Sequence, residues 1–181
     1  HPDYWSTREA ELRRSSANLP VLQVQHHWAH MAACMADNDL WGPVFGIVWD
    51  GTGLGTDGQI WGGEFLIGDY SSFSRCGSIR PILLAGGDAA VREIGRVALS
   101  LARDAELSTE CIALDATRMR SLCAMLDSRT NCVPASSIGR LFDGVYALLT
   151  GRMRVNYEGQ GATLLEALER DEIPGRPYPV E

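Results

Sequence analysis

The chain has 181 residues, 45% of them hydrophobic and 22% charged, with a formal net charge of −7. That is the balance of one globular domain or of part of a larger one. An acidic chain with no Lys/Arg run is a poor nucleic-acid binder, and no apolar stretch approaches the ~20 residues of a membrane helix, so neither partner is expected.

In chain order, His1 to Ala17 is polar, and Arg8 to Arg14 reads as a short charged helix. Val21 to Gln25 is strand-like. His26 to Ala36 is an alanine-rich helix stopped at Asp37-Asn38-Asp39. Pro43 to Trp49 and Gln59 to Ile67 are apolar, β-like runs, and the glycine-rich turn between them predicts a hairpin. Ser78 to Leu84 is a third strand candidate. The pattern then turns helical. Asp88 is placed to cap a helix over Ala89 to Arg103, and Thr117 to Leu126 follows at helical spacing. Ser136-Ser137 precedes Ile138 to Leu149, whose Ile138, Leu141, Phe142, Val145, Leu148 and Leu149 form one apolar stripe. Gln160 to Arg170 is the last helix. Strands first and helices afterwards predict a mixed α/β (α+β) fold.

The five cysteines (Cys34, Cys76, Cys111, Cys123 and Cys132) are odd in number and contain no C-x-x-C pair. They exclude a disulfide framework, fit a reducing cytoplasm, and are expected in the core. No signal-peptide pattern is present. The opening at His1 and the loop-like Pro174 to Glu181 read as a segment of a longer protein.

The chemistry concentrates in Val24-Gln25-His26-His27-Trp28-Ala29-His30, which holds three of the four histidines. His26 and His30 are four apart and share one helix face, a standard way to hold a divalent metal. The zinc-protease pattern H-E-x-x-H is absent, because His27 stands where its glutamate would be. Asp50 is the best third ligand in the chain. An Asp/His set suits iron, zinc or manganese alike. His27 lies about 100° round the helix and is expected to be structural or to touch a substrate. The plain alternative is a helix with packing histidines.

Gly53 to Gly58 formally matches G-x-G-x-x-G, but a β-like run follows it instead of the helix a dinucleotide fold needs. A calcium loop starting at Asp50 fails at Leu54 and Trp61, where oxygen ligands belong. What remains is a hairpin tip of glycines and hydroxyls. It is either an ordinary long turn or a phosphate cradle of the kind seen in actin, Hsp70 and sugar-kinase lobes. Gly86-Gly87-Asp88 could touch a nucleotide or merely start a helix. Ser137, Arg140 and Asp143 sit around a helix N-terminus, which favours anions. There the alternative is a capped core helix with a solvated Arg140/Asp143 pair.

Taken together, these blocks resemble the HypF family of carbamoyltransferases in nickel–iron hydrogenase maturation. The resemblance runs through His1-Pro2-Asp3-Tyr4, the histidine block and Asp50-Gly51-Thr52-Gly53. It continues through Ile60-Trp61-Gly62-Gly63-Glu64-Phe65, Gly86 to Ala90, Ser136 to Asp143 and Tyr157-Glu158-Gly159-Gln160. It implies that residues 1–181 are an interior segment of a Kae1-like domain, a partial ASKHA (actin-like) ATPase fold with no complete second domain. It implies His26, His30 and Asp50 as metal ligands. It further implies Gly51, Thr52, Gly53, Gly55, Gly86, Gly87, Asp88, Ser137, Gly139, Arg140, Asp143 and Glu158 as nucleotide-facing residues.

By the same resemblance, an upstream YrdC-like domain makes carbamoyladenylate from carbamoyl phosphate and ATP. The Kae1-like domain then passes the carbamoyl group to the C-terminal cysteine of a HypE-type partner. Trp28 and Ile94-Gly95 depart from common family residues. A fourth metal ligand, a late aspartate, would lie beyond Glu181, so the segment alone is expected to be inactive and to bind metal weakly. Two rivals remain: an O-carbamoyltransferase acting on a small molecule, and a non-catalytic docking module.

Overall fold

The structure is a computed structural model, and it describes residues 4–169. Two helices open the chain, α1 (Trp5–Ala17) and α2 (His26–Asp37). The expected strand over Val21 to Gln25 does not form. An extended segment becomes a strand only by pairing, and this one stays exposed while Gln25 uses its side chain to cap α2, accepting from the Trp28 amide at 2.9 Å. Every fourth residue of α2 from His27, namely His27, Met31 and Met35, is buried. That face packs on Val48, Trp61 and Leu66 of the sheet.

The predicted hairpin is present as β1 (Val44–Leu54) and β2 (Ile60–Gly68). Its turn is tighter than the glycine run suggests, closing where the Gly55 amide donates to the Gln59 carbonyl at 2.8 Å. Gly51 and Gly53 lie inside β1. Trp49 pairs Gly63 and pairing resumes at Gly53 with Trp61, so Asp50, Gly51 and Thr52 stand opposite Gly62 alone. Such a bulge bends its strand and re-aims a side chain.

The third predicted strand is corrected to two. β3 (Phe73–Ser78) pairs with β2, the ladder stops before Pro81, and β4 (Ile82–Ala85) follows. Proline has no N–H to donate to a ladder, so the break falls there. The single helix expected over Ala89 to Arg103 is likewise two, α3 (Ala89–Arg92) and α4 (Gly95–Asp104). At the break, backbone from a distant loop intrudes: Val155 N donates to Arg92 O and Gly95 N donates to Met153 O. Glu93 sits in that break and gathers Arg96 at 2.6 Å, Arg154 at 3.0 Å and Arg118. The Arg118 hydrogen bond, with help from Arg96 and against burial, holds its carboxyl down to about 2. Asp88 makes no cap with its side chain. Asp115 does, at the start of α5 (Ala116–Ser128), where it accepts from the amides of Thr117 and Arg118.

The strands-then-helices order is overturned by β5 (Cys132–Ala135). It enters after three helices, joining β4 antiparallel and β2 parallel through Ile60 and Ala135. The sheet order is β1-β2-β5-β4, with β3 also on β2. β5 leads into α6 (Ile138–Thr150), and α7 (Gln160–Glu169) closes the described chain. The apolar stripe expected on α6 is only partly its buried face. Ile138 is buried and Leu141, Val145 and Leu148 are half-buried, but Phe142 and Leu149 are exposed, and Arg140, Asp143, Gly144, Tyr146 and Ala147 are buried. The reason is close approach by α4: a Cβ on Gly144 would lie 2.3 Å from Leu101 Cδ1. Of the five cysteines expected in the core, only Cys123 and Cys132 pack against it. Cys34, Cys76 and Cys111 are exposed, Cys123 and Cys132 are half-buried, and all five are free.

Gly62 is where the sheet tolerates nothing larger, since a Cβ there would meet Asp50 O at 2.5 Å and Ser137 Cα at 3.0 Å. Gly62→Ala should therefore lower stability by about 1–3 kcal/mol, an overpacking cost against backbone, read by chemical denaturation.

Candidate functional site

The N-cap at Gln25 starts α2 so that His26 and His30 lie one turn apart, and the β1 bulge brings Asp50 across to meet them. His26 Nε2 is 2.8 Å from Asp50 Oδ2 and 3.1 Å from His30 Nε2. One donor atom from each of the three residues falls within a 4.8 Å cluster. His26 and His30 are exposed, so solvent and ligands reach the cluster. Asp50 Oδ1 is tied down by the Gly51 amide at 2.7 Å. Two imidazole nitrogens and a carboxylate oxygen suit zinc, iron or manganese and leave coordination positions open. Gly53 is required locally, because a Cβ there would stand 2.5 Å from His27 Cε1 and 2.8 Å from His26 Cδ2.

His27 is fully buried beneath this cluster, its Nε2 3.7 Å from Asp50 Oδ2. Burial pushes its imidazole below the ordinary histidine value, against the pull of Asp50.

A second cluster adjoins the first through one peptide. Ser137 caps α6 by accepting from Arg140 N at 3.0 Å, and its hydroxyl donates to the Gly51 carbonyl. Gly139 presses on the same residue, its Cβ position 2.9 Å from Gly51 Cα. The N-terminus of α6, with its partial positive charge, is thus held against the bulge. The Arg140/Asp143 pair, solvated in the plain alternative reading, is buried, each residue 1% exposed. Arg140 Nη1 lies 3.2 Å from Asp143 Oδ2, and its Nη2 donates to Glu158 Oε1 at 3.3 Å. The Arg140–Asp143 contact lacks hydrogen-bond geometry, so both Asp143 oxygens and Arg140 Nε and Nη1 have no hydrogen-bond partner among the described residues. Burial therefore lifts the Asp143 carboxyl to about 6, although Arg140 opposes the shift.

Of the sequence-predicted nucleotide residues, Gly51, Thr52, Gly53, Ser137, Gly139, Arg140, Asp143 and Glu158 are brought to this junction. Gly55 is not. It forms the hairpin turn, where a Cβ would collide with the Trp61 indole. Gly86, Gly87 and Asp88 lie apart too. Gly86 N donates to Asn131 O at the start of β5, whereas Ser136 follows the end of β5, roughly 13 Å of strand away.

Glu64 stands in a block that carries the family resemblance, but its sequence context assigns it no role in the site. It is fully buried and accepts from the amides of Gly62 and Gly63, from the Ser136 hydroxyl and from Arg75 Nε at 2.6 Å. Arg75 also lies 4.4 Å over the Trp61 ring and 3.2 Å from Asp57. The only sequence signal was a lone charge in the apolar run Ile60 to Ile67, where an unpaired carboxylate would be too costly to bury.

Comparison with known proteins settles the family. The model of the carbamoyltransferase Kae1-like domain, second subdomain, matches residues 46–181, and that of the HypF Kae1-like domain matches residues 1–37. The chain belongs to the HypF carbamoyltransferase family. A carbamoyltransferase HypF from Rhodobacter capsulatus is 43% identical over 180 residues, covering 96% of this chain and 24% of the relative. A HypF homolog from Cupriavidus necator is 42% identical over 176 residues, covering 94% of this chain and 45% of the relative. The chain thus spans less than half the length of these relatives. Its fold superposes on the crystal structure of T. kodakarensis HypF with a TM-score of 0.88 at 31% identity, covering all of this chain and 25% of that one. A full-length HypF in its phosphate- and nucleotide-bound form gives 0.86 at 38% identity, covering 95% of this chain and 27% of that one. The expected α/β, Kae1-like architecture stands.

In this HypF segment the raised Asp143 carboxyl has a definite pH signature. A group whose folded value exceeds its unfolded one stabilises the fold fully below the unfolded value, and that contribution is lost as pH rises through about 6. Asp143→Asn, which cannot ionise, should gain stability relative to the parent as pH rises from about 4 to about 7. Denaturation midpoints at both pH values check this; a difference independent of pH would mean an ionised Asp143 throughout.

Proposed function

We propose that this chain is the metal- and nucleotide-holding part of a HypF enzyme. In that reading the enzyme transfers a carbamoyl group from carbamoyladenylate to the C-terminal cysteine thiol of a HypE-type acceptor. Carbamoyladenylate would come from carbamoyl phosphate and ATP at a YrdC-like domain elsewhere in the full-length protein. One observation carries the reading: the convergence of His26, His30 and Asp50 one peptide away from the α6 N-terminus and Arg140. The family membership and the nucleotide-bound state named for a full-length relative support it.

His26, His30 and Asp50 would hold a divalent metal, whose chemistry there is that of a Lewis acid and template. The residues of this chain do the rest. Gly51 and Gly139 let the bulge and the start of α6 pack directly on each other, and the α6 N-terminus and the nearby Arg140 favour negative charge at that junction. Arg140 is held near the start of α6 between the buried Asp143 and the exposed Glu158, so its positive charge is in place before substrate arrives. In the transfer, the carbamoyl carbon forms a bond to the acceptor sulfur and loses its bond to the adenylate phosphate oxygen. AMP leaves and the thiol proton is released. Five free cysteines agree with a reducing, cytoplasmic setting, and no helix among the described residues is long and apolar enough to cross a membrane.

In the full-length protein carrying this segment, His26→Ala and Asp50→Ala should each lose stoichiometric metal. Carbamoyl transfer to the acceptor thiol, read by mass spectrometry, should fall about 100-fold or more. Retained transfer in both variants would defeat the assignment, and carbamoylation of a small molecule in place of the protein thiol would redirect it.

A further inference from the structure

His27 is fully buried, one residue from a proposed ligand, and its Nε2 has no hydrogen-bond partner among the described residues. Its other nitrogen is committed. The Gln25 amide is oriented at both ends: Oε1 accepts from Trp28 N at 2.9 Å, and Nε2 donates to Leu54 O at 3.1 Å. A backbone amide and a backbone carbonyl admit no flipped arrangement, so Gln25 Nε2 also donates to His27 Nδ1, 3.0 Å away. With Nδ1 an acceptor, the neutral ring carries its proton on Nε2. That N–H faces Asp50 Oδ2 across 3.7 Å, while Gly51 N holds Asp50 Oδ1. Closing the gap by less than about 1 Å makes a hydrogen bond. Two neighbours hold the ring in place: Gly53, which leaves it room, and Trp61, 5.7 Å between ring centroids.

We propose that His27 is a positioning residue: its Nε2–H, with the tautomer set by Gln25, steers the Asp50 carboxylate toward His26 and His30. Outer hydrogen bonds of this kind orient ligating carboxylates and set metal affinity. The inference rests on the metal reading above. It turns a buried donor with no partner into a device that acts when Asp50 shifts, and it distinguishes His27 from a ligand, since a protonated Nε2 has no lone pair to offer.

The test uses Co²⁺ titration of full-length protein carrying this segment, followed by absorption, with thermal unfolding as a fold control. His27→Gln places an amide N–H near the Nε2 position, whereas His27→Asn places one near Nδ1, facing Gln25. His27→Asn should weaken Co²⁺ binding about 10–100-fold, and His27→Gln should return it close to the parent value with an unchanged Co²⁺ spectrum. Nitrogen-15 NMR of the metal-free protein should show His27 protonated at Nε2. Equal Co²⁺ affinity in the Asn variant and the parent overturns the inference, as does an Nδ1-protonated ring. A folded parent that binds no Co²⁺ defeats the metal reading itself, and the role of His27 with it.

Discussion

Three residues opposite one in the β1–β2 ladder is the constraint on which the site depends. An unbulged strand would keep Asp50 in the regular alternation of β1, and nothing would draw it toward α2. The bulge survives because its neighbours are shaped for it. Gly62 lies under the Asp50 carbonyl, Gly139 lies against Gly51, and the Ser137 hydroxyl takes up the Gly51 carbonyl that the ladder leaves free. The same contacts anchor the N-terminus of α6, so the metal-type cluster and the anion-type cluster cannot move independently.

Two buried charged groups flank this junction, and they are built differently. Glu64 has partners on both oxygens, from two amides, a hydroxyl and a guanidinium, and it ties β2, β3 and the β5–α6 turn together. Asp143 is as deeply buried but has only an ionic contact with Arg140. A buried charge with full hydrogen bonding makes a rigid support, whereas one without it is held at a cost the rest of the fold must offset. The incompletely satisfied pair lies at the proposed anion site and the satisfied one behind it, as expected when function tolerates local strain that structure does not.

Much of this was legible in the chain. The i, i+4 histidines, the glycine hairpin, the Ser137 cap and the helices after residue 89 follow from local rules of spacing and capping. Three of the misreadings share one cause. Val21 to Gln25 lacks a strand to pair with, Ala89 to Arg103 is split by a loop more than fifty residues later, and β5 is too short and too proline-containing to announce itself. Each depends on a partner distant in sequence.

The sequence by itself determined the donor inventory and its local geometry. Two imidazoles on one helix face, a carboxylate beside glycines and an arginine just inside a capped helix are consequences of helical periodicity and backbone sterics. Only the tertiary structure decided which of these meet. It joined Asp50 to His26, left Gly86 to Asp88 at the far end of β5, buried the Arg140/Asp143 pair and aimed His27 Nε2 at Asp50. Those outcomes depend on strand register, a bulge and close approach at glycines, long-range packing that no local window of sequence encodes.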